Sequence, residues 1–249
     1  MDAERVVETD SDESDNFDPI QGWVERTPPQ RSSDSPLLDE AVAHLPSDQQ
    51  TRLRSTLIRH DILAYTWEDL RPSEVNTIHH FTLTDYSPIH FRPRRLHPHY
   101  QDIVRREVDR MLEAGVIVPV ESEWAFPLLI IGKPDGSVLF CVDFRKLNER
   151  MPRDNYPLQL IDEILDGLRG ARIFSTIELF SGYWRVRLSP ECSKFATFIC
   201  KFGTFAFLVT PYDLRNAPAT FQRMMFEVFK DFPFVALYMD DILVFRDTR

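Results

Sequence analysis

The stretch VALYMDDILVF, residues 235–245, sets two adjacent carboxylates, Asp240 and Asp241, between apolar runs. Neighbouring negative charges repel, and partial burial at a hairpin tip makes the repulsion costly unless a cation compensates. A pair of Mg²⁺ ions about 3.5–4 Å apart would do so, one activating a hydroxyl and the other stabilising a leaving oxygen. The plain alternative is a turn, because Asp-Asp is also an ordinary turn dipeptide. Sixty-two residues earlier, Glu178 closes the apolar run Ile173–Glu178 just before a turn. It offers a third carboxylate for the same ions, against the reading of a surface glutamate at a strand end. Tyr183 and Trp184 follow the turn Ser181-Gly182. They are large enough to wall a nucleotide pocket, and core packing is the competing use of such side chains.

The chain that must position these groups has 249 residues, 43% apolar and 27% charged. That suffices for one sizeable core and excludes collagen-like, coiled-coil and wholly disordered classes. No apolar run approaches the roughly 20 residues a bilayer span needs, so no membrane partner is expected. The acidic start MDAERVVETDSDESD shows no secretory signal, and three cysteines without a CxxC pair suit a reduced, intracellular setting. The net charge of −10 is concentrated in the head: residues 1–50 hold 13 acids and 3 bases, residues 51–249 hold 26 of each. A neutral body leaves a nucleic-acid partner open, to be decided by local clustering.

Residues 1–46 read as a disordered acidic tail, and 47–84 as a helical linker segment. Ser47 is placed to cap a helix carrying Leu53, Leu57 and Ile58. A second helix opens at Pro98, carries Tyr100, Val104, Val108, Met111 and Leu112 as one stripe, and closes near Gly115. VIVPV, WAFPLLIIG and VLFCVDF read as strands, the last two joined by the hairpin turn KPDGS. A third helix is expected over Leu158–Leu168. Ile173–Leu179, Trp184–Leu188, Thr197–Ile199 and Phe205–Val209 read as strands. Pro218 opens a fourth helix with Phe221, Met224, Met225, Val228 and Phe229 on its apolar side. This mixture of helices and antiparallel hairpins is α+β.

Taken together, the segments HFTLTDYSPIHFRPRRLHPHYQDIVRREVDRMLEAGVI, ESEWAFPLLIIGKPDGSVLFCVDFRKLN, NYPLQLIDEILDGLRGARIFSTIELFSGYW, KFATFICKFGTFAFLVTPYDLRNAPATFQRMM and YMDDILVF resemble, in order, the reverse transcriptase of gypsy-type LTR retrotransposon Pol polyproteins. The resemblance runs from about Leu45 to the last residue. It implies a right-hand polymerase fold with fingers (about 85–155 and 188–211) and palm (about 156–187 and 212–249). The thumb is absent, the sequence stopping after the catalytic hairpin. It further implies an RNA-directed DNA polymerase that transfers dNTPs to a primer 3′-hydroxyl on an RNA or DNA template, with two Mg²⁺ ions or Mn²⁺ in their place. On this resemblance Glu178, Asp240 and Asp241 are the catalytic and metal-holding residues. Lys133, position 139 (here Leu139), Tyr183, Tyr212 and Gln222 are nucleotide-binding. The basic stretch with His90, Arg92, Arg94, Arg95, Arg105, Arg106 and Arg110 becomes a phosphate-contacting surface. The family works in cytoplasmic particles.

Three positions depart from the family pattern. Glutamate stands at 178 in place of aspartate, and Mg²⁺ tolerates little change from oxygens at about 2.0–2.1 Å. Leu139 stands where an arginine would bind triphosphate. Asp213 stands where the family has glycine, adding a negative side chain at a tight backbone position. These changes predict impaired synthesis in this copy, or else a non-catalytic nucleic-acid-binding remnant or a decayed retroelement fragment. An open edge on the palm sheet is also expected.

Overall fold

The computed structural model describes residues 38–39, 42–60, 76–132, 138–157 and 159–246. Lys133 and the KPDGS turn lie outside them, as do residues 1–37 of the expected tail. Leu38 and Val42, within that expected tail, are buried. Helix α1 (Ser47–His60) forms as its spacing predicts, but it buries none of its residues.

The segment expected as linker enters the core instead. Strand β1 (Ile78–His79) pairs in parallel with β6 (Arg187–Leu188). His79, Phe81 and Leu83 point inward while His80 and Thr82 point out. That two-residue alternation is a strand signal overlooked beside the longer helical pattern. Helix α2 (Pro98–Glu113) starts on its proline, buries Val104, Val108 and Met111, and is followed by Gly115 at φ 68°.

A five-stranded sheet forms the larger block, in the order β2-β8-β7-β3-β4. Its strands are β2 (Ile117–Pro119), β3 (Phe126–Gly132), β4 (Val138–Val142), β7 (Thr197–Cys200) and β8 (Gly203–Phe207). β3 and β7 run parallel, and the other pairs are antiparallel. Phe126, Phe144, Phe198 and Phe207 fill its core with α2. Helix α3 (Arg145–Glu149) follows β4 directly and was not foreseen, because VLFCVDF masks where the strand stops.

The smaller block is a three-stranded antiparallel sheet, β5-β10-β9, made of β5 (Ile173–Glu178), β9 (Val235–Tyr238) and β10 (Asp241–Arg246). Helix α6 (Ala217–Phe229) covers one face through Phe221, Met224 and Met225, which meet Leu237 and Ile242. Helix α4 (Ile161–Gly167) is shorter than expected and buries none of its residues. Helix α5 (Pro190–Ser193) caps the turn into β7. Residues 184–188 are corrected from strand to a 3₁₀ turn (Gly182–Arg185), with only Arg187 and Leu188 paired as a strand. The reason is the left-handed Ser181 (φ 50°), which turns the chain before it can extend. Among the described residues, no helix is long and apolar enough to cross a membrane.

Candidate active site

The sheet register brings the carboxylates together. Asp241, the first residue of β10, lies directly opposite Glu178, the last residue of β5, and opposite Tyr238 of β9. Directly opposed residues of antiparallel strands share a face. Ile242 and Leu237 face α6, so Glu178, Asp241 and Tyr238 stand on the other face. Asp240 sits in the turn, after Met239 in a left-handed conformation (φ 54°), and its carbonyl accepts a hydrogen bond from the Leu179 N–H at 3.3 Å. Like charges directly opposed on a sheet are destabilising, so this placement favours a compensating cation.

An all-oxygen donor set of three carboxylates suits a hard cation such as Mg²⁺. The backbone neighbours them, yet the side chains are not drawn into a cage. Among the described residues, no group of three or more His, Cys, Asp or Glu side chains is gathered closely enough to hold a metal ion.

Beside the turn lies a cavity of about 600 Å³ whose lining includes Arg145, Asn148, Tyr183, Tyr212, Asp213 and Arg215. Tyr183 packs its ring on Phe221 of α6 at 5.1 Å and meets Tyr212 edge-on at 5.7 Å. At the preceding Gly182 a Cβ would stand 3.0 Å from the Phe221 ring, close enough that the ring would have to shift by a few tenths of an ångström. Burial pushes the Tyr183 phenol up, and the Asp240 carboxylate adds to it. Burial also raises the Tyr212 phenol, with Asp240 and Glu178 contributing. Both tyrosines therefore feel the acids electrostatically and remain neutral hydrogen-bonding groups at neutral pH.

Arg145, which lines the cavity, belongs to an ion cluster centred on Asp143, a residue that sequence reasoning did not single out. Asp143 accepts two hydrogen bonds from Arg145, both 2.7 Å, and one from Arg94 at 3.2 Å. The Arg145 hydrogen bond is the main cause holding the Asp143 carboxyl below its usual range. Asn148 donates to the Asp213 carbonyl at 2.6 Å and accepts from the Arg215 N–H at 2.9 Å. Arg215 in turn donates to the carbonyls of Asn148 and Met151, each at 2.8 Å. These bonds lock the loop that carries Tyr212. The signal was the alternation of charge and apolar residues in DFRKLN, which folds into α3 and turns its polar side to one wall.

Asp213 has φ 67°, the backbone region that glycine adopts without cost. Burial raises its carboxyl pKa first, and Asp143 raises it further against the pull of Arg145. Leu139 is 41% exposed on β4 and does not line this cavity. Gln222 is 2% exposed on α6 and lines a separate cavity of about 500 Å³ with Gln159, Leu237 and Met239. In the basic stretch, Arg94 is engaged by Asp143, Arg110 pairs with Glu107, and Arg105 lies over the Phe202 ring at 5.1 Å. Arg92, Arg95 and Arg106 are exposed.

Residues 131–249 match the family described as reverse transcriptase (RNA-dependent DNA polymerase). The retrovirus-related Pol polyprotein from transposon 297 of Drosophila melanogaster is 30% identical over 97% of this chain and 24% of its own length. The Pol polyprotein from transposon gypsy of the same organism is 28% identical over 82% of this chain and 21% of its own. The chain thus spans about a quarter of the length of these curated relatives. Among solved structures, the selenomethionine-labelled prototype foamy virus protease-reverse transcriptase CSH mutant superposes with a TM-score of 0.77 at 25% identity, over 86% of this chain and 30% of that one. The foamy viral protease-reverse transcriptase dRH in complex with double-stranded DNA gives 0.78 at 22% identity, over 91% and 41%. The α+β arrangement described above is that right-hand polymerase fold, in the part that does not include a thumb. Over residues 131–249 the chain carries a reverse transcriptase domain, and it is similar to the fingers and palm region of retrotransposon Pol polyproteins.

Proposed function

We propose that this chain is the template- and nucleotide-holding part of an RNA-directed DNA polymerase that extends a primer 3′-hydroxyl with dNTPs. The observation that carries the reading is the strand register. It sets Glu178 against Asp241, with Asp240 in the adjoining turn, beside a cavity walled by Tyr183, Tyr212 and Arg145. Residues 85–155 and 188–211 are the fingers, and 156–187 and 212–249 the palm. Two Mg²⁺ ions, with Mn²⁺ as a substitute, would be held by Glu178, Asp240 and Asp241 and would supply charge stabilisation of the attacking and leaving oxygens.

The chain's own residues supply the rest. Tyr183 gives the sugar a flat wall, backed by Phe221 so that it cannot retreat. Its position favours a deoxyribose over a ribose. Tyr212 is held by the Asn148–Arg215 clamp and faces the same space. Gln222 follows Phe221 on α6 and backs the site from the neighbouring cavity. Lys133, outside the described residues, supplies a positive charge for the triphosphate. Arg92, Arg95 and Arg106 meet template or primer phosphates, with Arg94 and Arg105 turned to them in part. The neighbour solved with double-stranded DNA, and another solved with an RNA/DNA hybrid, support a nucleic-acid partner of this kind.

Synthesis by this copy is slowed. The extra methylene of Glu178 displaces a metal-ligand oxygen, and a misplacement of about 1 Å can cost on the order of 100-fold in rate. Leu139 offers no donor to a triphosphate, and the Asp213 carboxylate repels one. That carboxylate in the cavity favours a second reading, nucleic-acid binding without synthesis.

Primer extension on an RNA template, run with Mg²⁺ and separately Mn²⁺, tests the first reading. Extension that disappears in Asp240→Asn supports it. No extension, together with binding that weakens steeply with salt, moves the assignment to the second reading.

A further inference from the structure

The charges of this chain are segregated. Residues 1–18 carry eight acids and one base, a side-chain charge of −7. Residues 90–106 carry five arginines and one acid, Asp102, a charge of +4 with His90, His97 and His99 uncounted.

The fold turns the second stretch into a surface. His90 bridges to Ala125, and the Phe91 N–H donates to the Ala125 carbonyl at 2.8 Å, so the stretch is fixed at its start. It then leads into α2 at Pro98. Arg92, Arg94, Arg95, Arg105 and Arg106 are all exposed. Arg92, Arg95 and Arg106 pair with no carboxylate among the described residues. Arg94 shares the Asp143 carboxylate with Arg145, which lines the cavity beside the catalytic turn. One carboxylate between two guanidiniums leaves that junction positive, so the basic surface reaches the cavity wall.

A surface of this kind attracts polyanions, and the chain carries one of its own. Asp10, Asp12, Glu13, Asp15 and Asp18 place five carboxylates within nine residues. Leu38, the first described residue, lies 20 positions after Asp18. A stretch of that length reaches up to about 65–70 Å, more than the roughly 45 Å width of a domain this size. Reach therefore excludes no face, and charge selects the arginine surface. A tethered segment is present at an effective concentration on the order of 1 mM. Contacts with a dissociation constant of about 0.1 mM then leave the docked form in about tenfold excess, and a competitor binds about tenfold more weakly.

We propose that residues 1–18 dock on the arginine surface of residues 90–106 and compete there with nucleic acid for the same guanidiniums. The inference rests on the nucleic-acid surface proposed above and adds its regulation. A long duplex displaces the segment because it offers more phosphates than the segment has carboxylates, whereas short polyanions are held off.

A benzophenone amino acid in place of Phe17 reads the contact in the full 249-residue chain. Irradiation at about 50 mM salt should join position 17 to residues 90–106, as mapped by mass spectrometry. The cross-link should fade toward about 300 mM salt, and also in the double variant Arg92→Glu, Arg95→Glu. Binding of a labelled RNA/DNA hybrid reads the competition. Neutralising the segment (Asp10→Asn, Asp12→Asn, Glu13→Gln, Asp15→Asn and Asp18→Asn) should tighten binding about tenfold at about 50 mM salt, and less than about twofold near 300 mM. Converting five exposed acids elsewhere to amides, at Glu163, Asp166, Glu191, Glu227 and Asp231, measures the effect of net charge alone. That set should change binding by no more than about twofold. No cross-link to residues 90–106, or equal gains from the two sets, overturns the docking and leaves the nucleic-acid surface standing. A hybrid bound by none of these chains overturns the surface reading, and the cross-link alone then decides the docking.

Discussion

The two sheets of this molecule are built to different standards. The five-stranded sheet is filled by phenylalanines that touch one another, with Phe126 5.3 Å from Phe144 and Phe198 5.4 Å from both Phe205 and Phe207. The three-stranded sheet has one covered face, and its strand β5 is exposed throughout. Yet the carboxylates stand on the thinner sheet. The difference teaches that rigidity reaches the acids indirectly. Tyr183 packs against both clusters, and the Asn148–Arg215 clamp ties the Tyr212 loop to α3. The thick block sets the cavity wall, and the thin one presents the charge.

The largest test of this contrast is deletion of a shared ring. Phe126→Ala should lower unfolding stability by about 3–5 kcal/mol in chemical denaturation, since the site is closed on every side. A loss below about 1 kcal/mol would mean that the large block is no better packed than the small one.

The second test uses His79, which joins β1 to α6 through a 2.8 Å contact between Nδ1 and Thr220 Oγ1. Burial first, then the charges of Arg223 and His80, lower its pKa from 6.5 to about 4. The unfolded chain thus binds a proton that the folded chain refuses between those values. Stability is complete above pH 6.5 and is lost as pH falls from 6.5 toward 4, by about 3 kcal/mol in total. Unfolding midpoints of the parent and of His79→Gln, compared from pH 7 to 4.5, should show this slope only in the parent.

Asp213→Gly comes next and sharpens the comparison at the cavity itself. Glycine accepts φ 67° without the Cβ conflict and removes a carboxylate whose pKa is raised. A raised carboxyl pKa lowers folded stability as pH rises through it, so the gain should be greatest at neutral pH, about 1 kcal/mol or less by thermal unfolding. The same variant should tighten triphosphate binding, read by equilibrium titration. Smallest is Ile177→Ala on β5. An exposed edge position should lose about 0.5 kcal/mol or less in dilute monomer, against several for the phenylalanine. A loss above about 2 kcal/mol would show that β5 is covered by something.

Much of this was legible in the sequence because it rests on local signals. Pro98 and Gly115 bracket α2, and the strands on either side of Asp240-Asp241 are where the apolar runs put them. Glu178 was marked by its place at a strand end, and the register then set it opposite Asp241. What escaped depends on long-range partners. Nothing near Asp143 in the chain announces Arg94, 49 positions away. Asn148 bonds a loop 65 positions on, a contact with no local period. Residues 76–84 passed for linker because a two-residue strand carries too few positions for alternation to stand out beside helices. The early end of the strand at 184–188 turned on one left-handed serine, a residue type with no strong preference for that conformation.

Ser181, Asp213 and Met239 are the non-glycine residues with positive φ among those described. Each lies within two positions of a side chain at the cavity or the acids: Tyr183, Tyr212 and Asp240. Such conformations cost about 1 kcal/mol or more apiece where a side chain is present. A library of this chain selected only for heat resistance should therefore drift to glycine at these three positions. A library selected for nucleotide binding should resist that drift at Ser181 and Met239, where a softer backbone would let the tyrosine and the aspartate wander. Comparing the two populations would outline the site with no ligand in hand.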